Sequence, residues 1–436
     1  MAPTGARPKT RWLGATALAL AATLAVSACG SSSSSSSGTD KGTGKLTFAV
    51  FNPFSGPDAS FGPEQLAGCI PAAAAIQAAG GILDHKQVTC KVADSRGDPA
   101  DAVPAAQQLI AATSGLAGIL GPSSDEASAT VPLFNRSSVP MFGDTGQAVF
   151  NKSNFQFFYR ITAPDDAVGY AMALYAHNKG YKRGAAVFGS DISSQGTAPT
   201  VVAGFKKLGG TVVANQKIPL DQSSYRTEIE QVVSAKPDVI FTEADPQTSA
   251  TYMAELKQLY HVIPIIGTNG TNQPPWFKAV GGAIGSTNLA TFYAGAQPYA
   301  PTTGASYNQW LAEIHAVQSK VPKPANQWFG DSYAMAAWDS INLMALAAEE
   351  AKSAKPAAFR PFIVKVATPS PGAVKVHSFA EGKKAILAGK KIQYIGAVGA
   401  ITFDQFNNSP GSFEIVKSDG TTPIVTYTAS QVDTAK

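Results

Sequence analysis

The chain has 436 residues, 44% of them hydrophobic and 15% charged, with a formal net charge of +4. That is enough apolar material for two domains with their own cores, and too little charge for a disordered chain. Arg7, Lys9 and Arg11 carry three of the positive charges near the start, so the remainder is close to neutral and lacks the basic footprint of a nucleic-acid binder.

Those basic residues open an export signal. An apolar stretch from Leu13 to Val26 follows, too short and too rich in alanine for a secure membrane span. It ends in Val26-Ser27-Ala28-Cys29, which resembles the lipobox of bacterial lipoproteins. The resemblance implies a signal peptide of residues 1–28, cleavage before Cys29, and lipid on the Cys29 thiol and its new amino group. Residues 29–44 hold the serine run Ser31 to Ser37 and then Gly38, Gly42 and Gly44. Such a segment cannot bury apolar surface and reads as a flexible tether. No later segment is apolar enough to cross a bilayer. The expected location is extracytoplasmic, lipid-anchored to the outer face of the cell membrane.

The body alternates strand and helix. Leu46 to Phe51 reads as a strand, and a helix follows from about Pro63 to Ala79, closed by Gly80-Gly81. Pro71 lies inside that helix, where a kink is the ordinary outcome. Gln87 to Ala93 alternates as a strand, Ala100 to Ala112 as a helix, and Gly115 to Leu120 is an apolar strand of the kind buried on both faces. A helix from Ala127 to Asn135 and a strand from Val139 to Phe142 complete the first unit. Cys69 and Cys90 both face its expected core. In an exported chain such a pair suggests a disulfide, with two buried free thiols as the alternative. Neither has a ligand-spaced histidine or second cysteine, so no metal site is expected.

The pattern then restarts. Helices are expected over Tyr170 to Asn178, Pro199 to Leu208, Tyr225 to Ala235 and Ser249 to Tyr260. Strands are expected over Gly184 to Phe188, Thr211 to Ile218, Asp238 to Thr242 and Pro264 to Gly267. Two further helices, Ser306 to Ser319 and Ser332 to Ala351, precede a β-rich tail from Ile401 to Thr428. Strand–helix alternation of this kind indicates parallel α/β sheets.

Enzyme signatures are missing: there is no phosphate-binding glycine motif, no nucleophile elbow, and no paired cysteine or histidine metal motif. The five histidines (His85, His177, His261, His315 and His377) read as solvated. Small polar residues and aromatics gather instead at strand ends, where open α/β sheets bind ligands. The opening loop, FAVFNPFSGPDASFGPEQLAG, keeps two aromatics, Phe54 and Phe61. Ser123 with Glu126 three residues on matches a capping box. The same helix start could hold a ligand's polar end, with Ser124 facing a cleft.

The block SGPDASFGPEQLAG, then AAIQAAGGILDHKQVTCKVADSRGDPADAVPAAQQLI, resembles the start of the leucine/isoleucine/valine-binding protein family, type I solute-binding proteins of ABC transporters. GILGPSSDEASATVPLFNRSSVP, FYRITAPDDAVG and PDVIFTEADPQTSATYMAELKQL resemble later blocks. The resemblance implies an α/β fold of two Rossmann-like lobes with parallel-type sheets, joined by three crossovers, with the ligand cleft between. Lobe 1 is then 45–161 and 294–400, and lobe 2 is 162–293 and 401–430. It also implies that Phe61 packs over the ligand, Ser123 and Ser124 hold its carboxylate, and Asp144, Thr145 and Gly146 meet its α-groups. Gln195, Asp245 and Asn269 complete the implied set. Asn269 stands where amino-acid binders tend to have an acid for the α-ammonium, so Asp144, Asp191 or Asp245 must serve instead, or the ligand differs.

The expected function is capture of a small polar ligand (an amino acid, amide or related small acid) by hinge closure, for ABC permease subunits. No catalysis, cofactor or nucleic acid is expected, and a monomer is. A sensory module of the same fold, reporting to a separate signalling partner, is the alternative. A hydrolase using Ser124 or Ser194 lacks a His–acid pair.

Overall fold

Strand β1, Leu46–Asn52, is buried at every residue, as an apolar run must be inside a parallel sheet covered on both faces. A computed structural model describes residues 44–436 apart from Pro57, Lys86 and Pro410. The expected signal peptide, Cys29 and the tether up to residue 43 lie outside the described residues, as does Pro57 of the Ser55-Gly56-Pro57 turn.

After β1 come α1 (Phe61–Ala78), β2 (Val88–Asp94), α2 (Pro99–Ala112), β3 (Leu116–Ser123), α3 (Ser124–Arg136), β4 (Met141–Asp144) and β5 (Phe158–Tyr159). They build a five-stranded sheet in the order β2-β1-β3-β4-β5, with every pairing parallel. The chain then forms α4 (Asp165–Asn178), β6 (Arg183–Gly189), α5 (Ile192–Lys207), β7 (Thr211–Ile218), α6 (Arg226–Ser234), β8 (Val239–Glu243), α7 (Pro246–Leu259), β9 (Ile265–Gly267), α8 (Pro274–Ile284), α9 (Ser286–Phe292) and β10 (Tyr293–Pro298). It returns to the first lobe as α10 (Ala305–Ala316), α11 (Ser332–Ala351), α12 (Pro356–Ala367), β11 (Val374–Val376), α13 (Phe379–Leu387), β12 (Ile392–Gly396) and β13 (Gly399–Ala400), with β11, β12 and β13 in a three-stranded sheet of their own. It ends on the second as β14 (Phe413–Val416), β15 (Pro423–Tyr427) and α14 (Ala429–Val432). That second sheet has the order β15-β14-β10-β9-β8-β6-β7, with only β14 and β15 antiparallel to their neighbours.

The chain thus passes between sheets three times. The second passage differs from the expected boundary between residues 293 and 294: β10 pairs with β9 and β14 as far as Pro298, so residues 294–298 belong to the second sheet. The sequence of β10, Tyr-Ala-Gly-Ala-Gln-Pro, could be read for either sheet, and only its register decides.

Helix α11 is buried on nearly every side, and Trp338, Ile341, Leu343 and Met344 are fully buried, which marks a core helix. Each such side chain contributes roughly 1.5–3 kcal/mol. It lies against α1 so closely that a Cβ at Gly68 would sit 2.2 Å from the carbonyl oxygen of Ala334. Pro71 is accommodated in α1 without ending it. The second lobe has its own cores, one around Phe188, Phe205 and Phe241 and one around Tyr252, Trp276 and Tyr293.

Cys69 and Cys90 are joined by a disulfide. Val92, on the same face of β2, is 45% exposed because β2 is an edge strand. His85 departs from the solvated reading: it is buried, with Nδ1 2.7 Å from the carbonyl oxygen of Gly44. The disulfide closes a segment of 21 residues, so chain entropy assigns it about 3 kcal/mol. A Cys69→Ala, Cys90→Ala variant should lose about that much in urea unfolding, and an unchanged midpoint would show that the bond adds no net stability.

Candidate functional site

The carboxyl ends of both parallel sheets face one another. From the first lobe, the loop after β1 is tied down by Asp94, which accepts hydrogen bonds from the Phe54 amide at 2.9 Å and Ser55 Oγ at 2.7 Å. Phe54 packs on its own core. Phe61 opens α1 and lines the space between the lobes, with Glu64 one turn on. Ser124 starts α3, and Asp144 and Gly146 follow β4. From the second lobe come Asp165 at the start of α4, Ser193 at the start of α5, Glu243 at the end of β8, and Asn269 and Gln273 after β9. Tyr333, on the first turn of α11, completes a small inner chamber. A wider outer space is lined by Asp58, Phe61, Asp125, Asp191, Glu243 and Asp245 among others.

Hydrogen bonds also cross between the lobes at the cleft. The Ser193 amide donates to Asp125 Oδ1 at 2.7 Å, and Gln273 Nε2 donates to Glu64 Oε1 at 3.2 Å. Beneath Gln273, Tyr293 OH donates to Asn272 Oδ1 at 2.6 Å and Asn272 Nδ2 donates to Gln297 Oε1 at 2.9 Å. Gln297 Nε2 in turn donates to Glu414 Oε1 at 2.8 Å, so this buried chain fixes the loop that carries Asn269 and Gln273. At Gly146 an added Cβ would lie 1.7 Å from Asp165 Oδ1, and the Gly146 carbonyl accepts from the Asp165 amide at 2.8 Å. Only glycine permits that approach.

Of the expected residues, Phe61, Ser124, Asp144, Gly146 and Asn269 line the inner chamber and Asp245 the outer space. Three others are committed elsewhere. Ser123 is buried in the capping box: its amide and Oγ donate to Glu126 at 3.1 and 2.8 Å. Thr145 is fully buried, with Oγ1 3.1 Å from Ser124 Oγ. Gln195 Nε2 donates to the Gly189 carbonyl at 2.6 Å. Sequence reasoning placed Ser193 and Glu243 within strand-end segments, Ser190 to Gly196 and Glu243 to Pro246, without assigning them a role, and did not single out Glu64, Asp165, Gln273 or Tyr333. Their signal was position alone, at a strand end or in the first turn of the helix after one. No described histidine lines either space, and Ser194 is buried, which leaves the hydrolase reading without a base.

The chamber's electrostatics are one-sided. Burial, then the charges of Asp331 and Asp144, hold the Glu64 carboxyl well above its ordinary range. Burial, then Glu126 and Asp331, do the same for Asp144. Burial, then Asp165 and Asp191, raise Glu243. Burial lifts Asp165 to about 7 despite Arg160 nearby, and Asp125 rises to about 6 through burial and Asp191.

A pair of α/β lobes with ligand-sized space at the carboxyl ends of both sheets defines a two-lobed binding protein. Among solved structures, the chain is similar to the branched-chain amino acid binding protein LivJ of Streptococcus pneumoniae, in complex with isoleucine: TM-score 0.70, 17% identity, 88% of this chain and 99% of that one. It is similar also to the leucine-binding protein LivK of Thermotoga maritima, at TM-score 0.68 and 19% identity over 88% and 99% of the two chains. A solute-binding protein from R. palustris in complex with 4-hydroxybenzoate gives TM-score 0.66 and 18% identity over 88% and 97%. The chain belongs to the periplasmic binding protein family, whose sequence profile matches residues 45–388. The fold is the type I fold of that family, a family of solute-binding proteins and not of enzymes. No curated protein matches the chain.

The raised carboxyls make stability depend on pH in a definite direction. A folded-state value above the unfolded one gives stability that is complete below about pH 4 and lost as pH rises through the folded value. Asp125 near 6, and Asp165, Glu126 and the buried Asp339 each near 7, set that loss between pH 5 and 8. The lowered carboxyls, Asp94 and Asp419, act only below about pH 4. The ligand-free protein should therefore melt several degrees higher at pH 5 than at pH 8, at roughly 2–4 °C per kcal/mol or somewhat less for a chain this long. A melting temperature that is flat or falls toward pH 5 contradicts the burial of these groups.

Proposed function

We propose that the chain is the solute receptor of an ABC importer, catching a small polar solute of the size of an amino acid or amide in the cleft by hinge closure. It hands the solute to permease subunits and works as a monomer, held on the outer face of the membrane by lipid on Cys29. The observation that carries this reading is the convergence of Phe61, Ser124 and Asp144 from one lobe with Asp165, Glu243 and Asn269 from the other on one chamber. Family membership supports solute capture as the activity. No helix among the described residues is long and apolar enough to cross a membrane, so the proposed attachment rests on the lipobox-like segment. Hinge motion fits the build, because contact between lobes is made by a few hydrogen bonds and by segments crossing from sheet to sheet.

Phe61→Ala should weaken binding of a solute found by thermal-shift screening by about tenfold or more, the loss of one buried aromatic wall, while the ligand-free melting temperature stays nearly unchanged. Normal binding by this variant places the ligand elsewhere. Small-angle scattering should give a smaller radius of gyration with the solute, and an unchanged radius at saturation removes hinge closure. Cys29→Ser should move the protein from the membrane fraction into the medium, whereas continued membrane association excludes the lipid anchor.

A further inference from the structure

The inner chamber is ringed by Glu64, Asp144, Asp165 and Glu243, with the aromatic side chains of Phe61 and Tyr333 between them. Building on the reading of solute capture, we propose that the solute is an organic cation with two or more positive charges, an aliphatic di- or polyamine in chemical class. It is thus neither a small acid nor a zwitterion with no net charge.

Acids near helix starts usually have a local reason, and several here do. Asp191 caps α5 by accepting from the Ser194 amide at 2.7 Å, Asp245 caps α7, and Asp331 caps α11. Glu126 closes the capping box of α3. These caps also absorb the positive ends of the helix dipoles that point at the cleft. Glu64, Asp144, Asp165 and Glu243 cap no helix, and what local support they have comes from neutral groups: Gln273 for Glu64, Gln65 for Asp144 and Thr268 for Glu243. Glu243 is 8% exposed. Asp165 Oδ2 is shut off from solvent and accepts no hydrogen bond, so a buried carboxyl oxygen on the chamber wall stands without a donor. None of the four is in an ion pair with a cation of the described chain.

Only neutral donors, such as Ser124, Ser193 and Asn269, stand on the wall to answer an anion. No lysine, arginine or histidine lines the inner chamber. Arg96, on the outer rim, is exposed and 3.6 Å from Asp101. Arg160 lies outside the wall with its guanidinium engaged by Asn408, Asn151 and the carbonyls of Thr145 and Gln147. A small acid would bring a further negative charge into a chamber already short of positive ones, at a cost that burial magnifies. A zwitterion would satisfy one carboxylate and leave the rest uncompensated.

Size decides between a metal ion and an organic cation. Among the described residues no three acidic, histidine or cysteine side chains converge closely enough to hold a metal ion. The inner chamber shares Phe61, Ser193, Glu243 and Gln273 with the wider outer space, so the charges that meet the carboxylates are spread along a molecule lying across both. Ammonium groups joined by methylenes do that, and the faces of Phe61 and Tyr333 suit both the methylenes and the charges. Binding would draw protons off the raised carboxyls, because a cation stabilises their ionised form.

The test is calorimetry and thermal shift on the mature chain at pH 7 with 1,4-diaminobutane and spermidine, against isoleucine, 4-hydroxybenzoate and glycerol. The expected result is binding of at least one amine, weakened about tenfold by Glu243→Gln and by Asp165→Asn, with net proton release when the titration is compared in two buffers of different ionisation enthalpy. Absence of binding by both amines overturns the proposal. Amine binding that neither variant weakens overturns the assignment to this chamber. Binding of isoleucine or 4-hydroxybenzoate alone leaves solute capture standing and removes only the charge class, whereas silence from every solute counts against capture in this cleft as well.

Discussion

A single buried guanidinium joins the parts of this molecule. Arg160 is 1% exposed and stands at the first passage between sheets. Its Nε donates to Asn408 Oδ1 at 3.0 Å, on the third passage, and its Nη1 donates to the carbonyls of Thr145 and Gln147, each at 3.3 Å. The backbone adds to the tie: the Arg160 amide donates to the Asn407 carbonyl and the Ser409 amide to the Arg160 carbonyl, at 3.0 and 2.8 Å. Burial pulls the guanidinium down to about 10, which still leaves it charged at neutral pH. A lysine could not repeat this pattern, since its donors radiate from one nitrogen and do not form a planar fork. The loop held by Arg160 carries Asp144 and Gly146, so the bond network that joins the lobes also positions one wall of the chamber.

The lobes can hold such a chamber because their stability comes from elsewhere. The all-buried α11, the covered strands β1 and β3 and the tryptophans of both lobes supply the apolar burial. Against that reserve the fold carries several carboxyls out of water with hydroxyls, amides and one another as neighbours. Each such group resists ionisation by burial first and by the nearby acids second. The consequence is local: the molecule is least satisfied where the two sheets meet, and that is where a solute can gain most by supplying what the side chains lack.

Much of the architecture was legible from the chain. The strand runs were apolar where the sheets are covered on both sides, glycine pairs closed helices, and Ser332 to Ala351 was readable as one long helix. The join at β10 was not, because Tyr293–Pro298 has no pattern that distinguishes one sheet from the other. At the site, strand-end residues such as Ser124, Asp144 and Asn269 could be named from position. Ser123, Thr145 and Gln195 could not be told from them, because a hydroxyl or amide that faces the cleft and one that satisfies a neighbouring backbone group look the same in sequence. The acids were hidden for a related reason. Glu64 and Asp165 stand in first turns of helices, where an acid is favoured by the dipole whether or not it binds anything, and Glu243 closes a strand that is otherwise apolar.

Asn269 now has a sharper meaning. An acid at that position would pair with one ammonium group of a zwitterion, and its loss seemed to call for a single substitute. The fold instead brings four carboxyls from both lobes around the place, Glu64 and Asp144 from one side and Asp165 and Glu243 from the other. Adding a fifth acid at residue 269 would raise their mutual repulsion further, whereas an amide can donate to a neighbouring carboxylate and accept from a ligand. The asparagine is therefore consistent with a chamber whose negative charge is distributed over several residues. Such a distribution favours a ligand by its total charge and by the spacing of its charges, and no single pairing decides recognition.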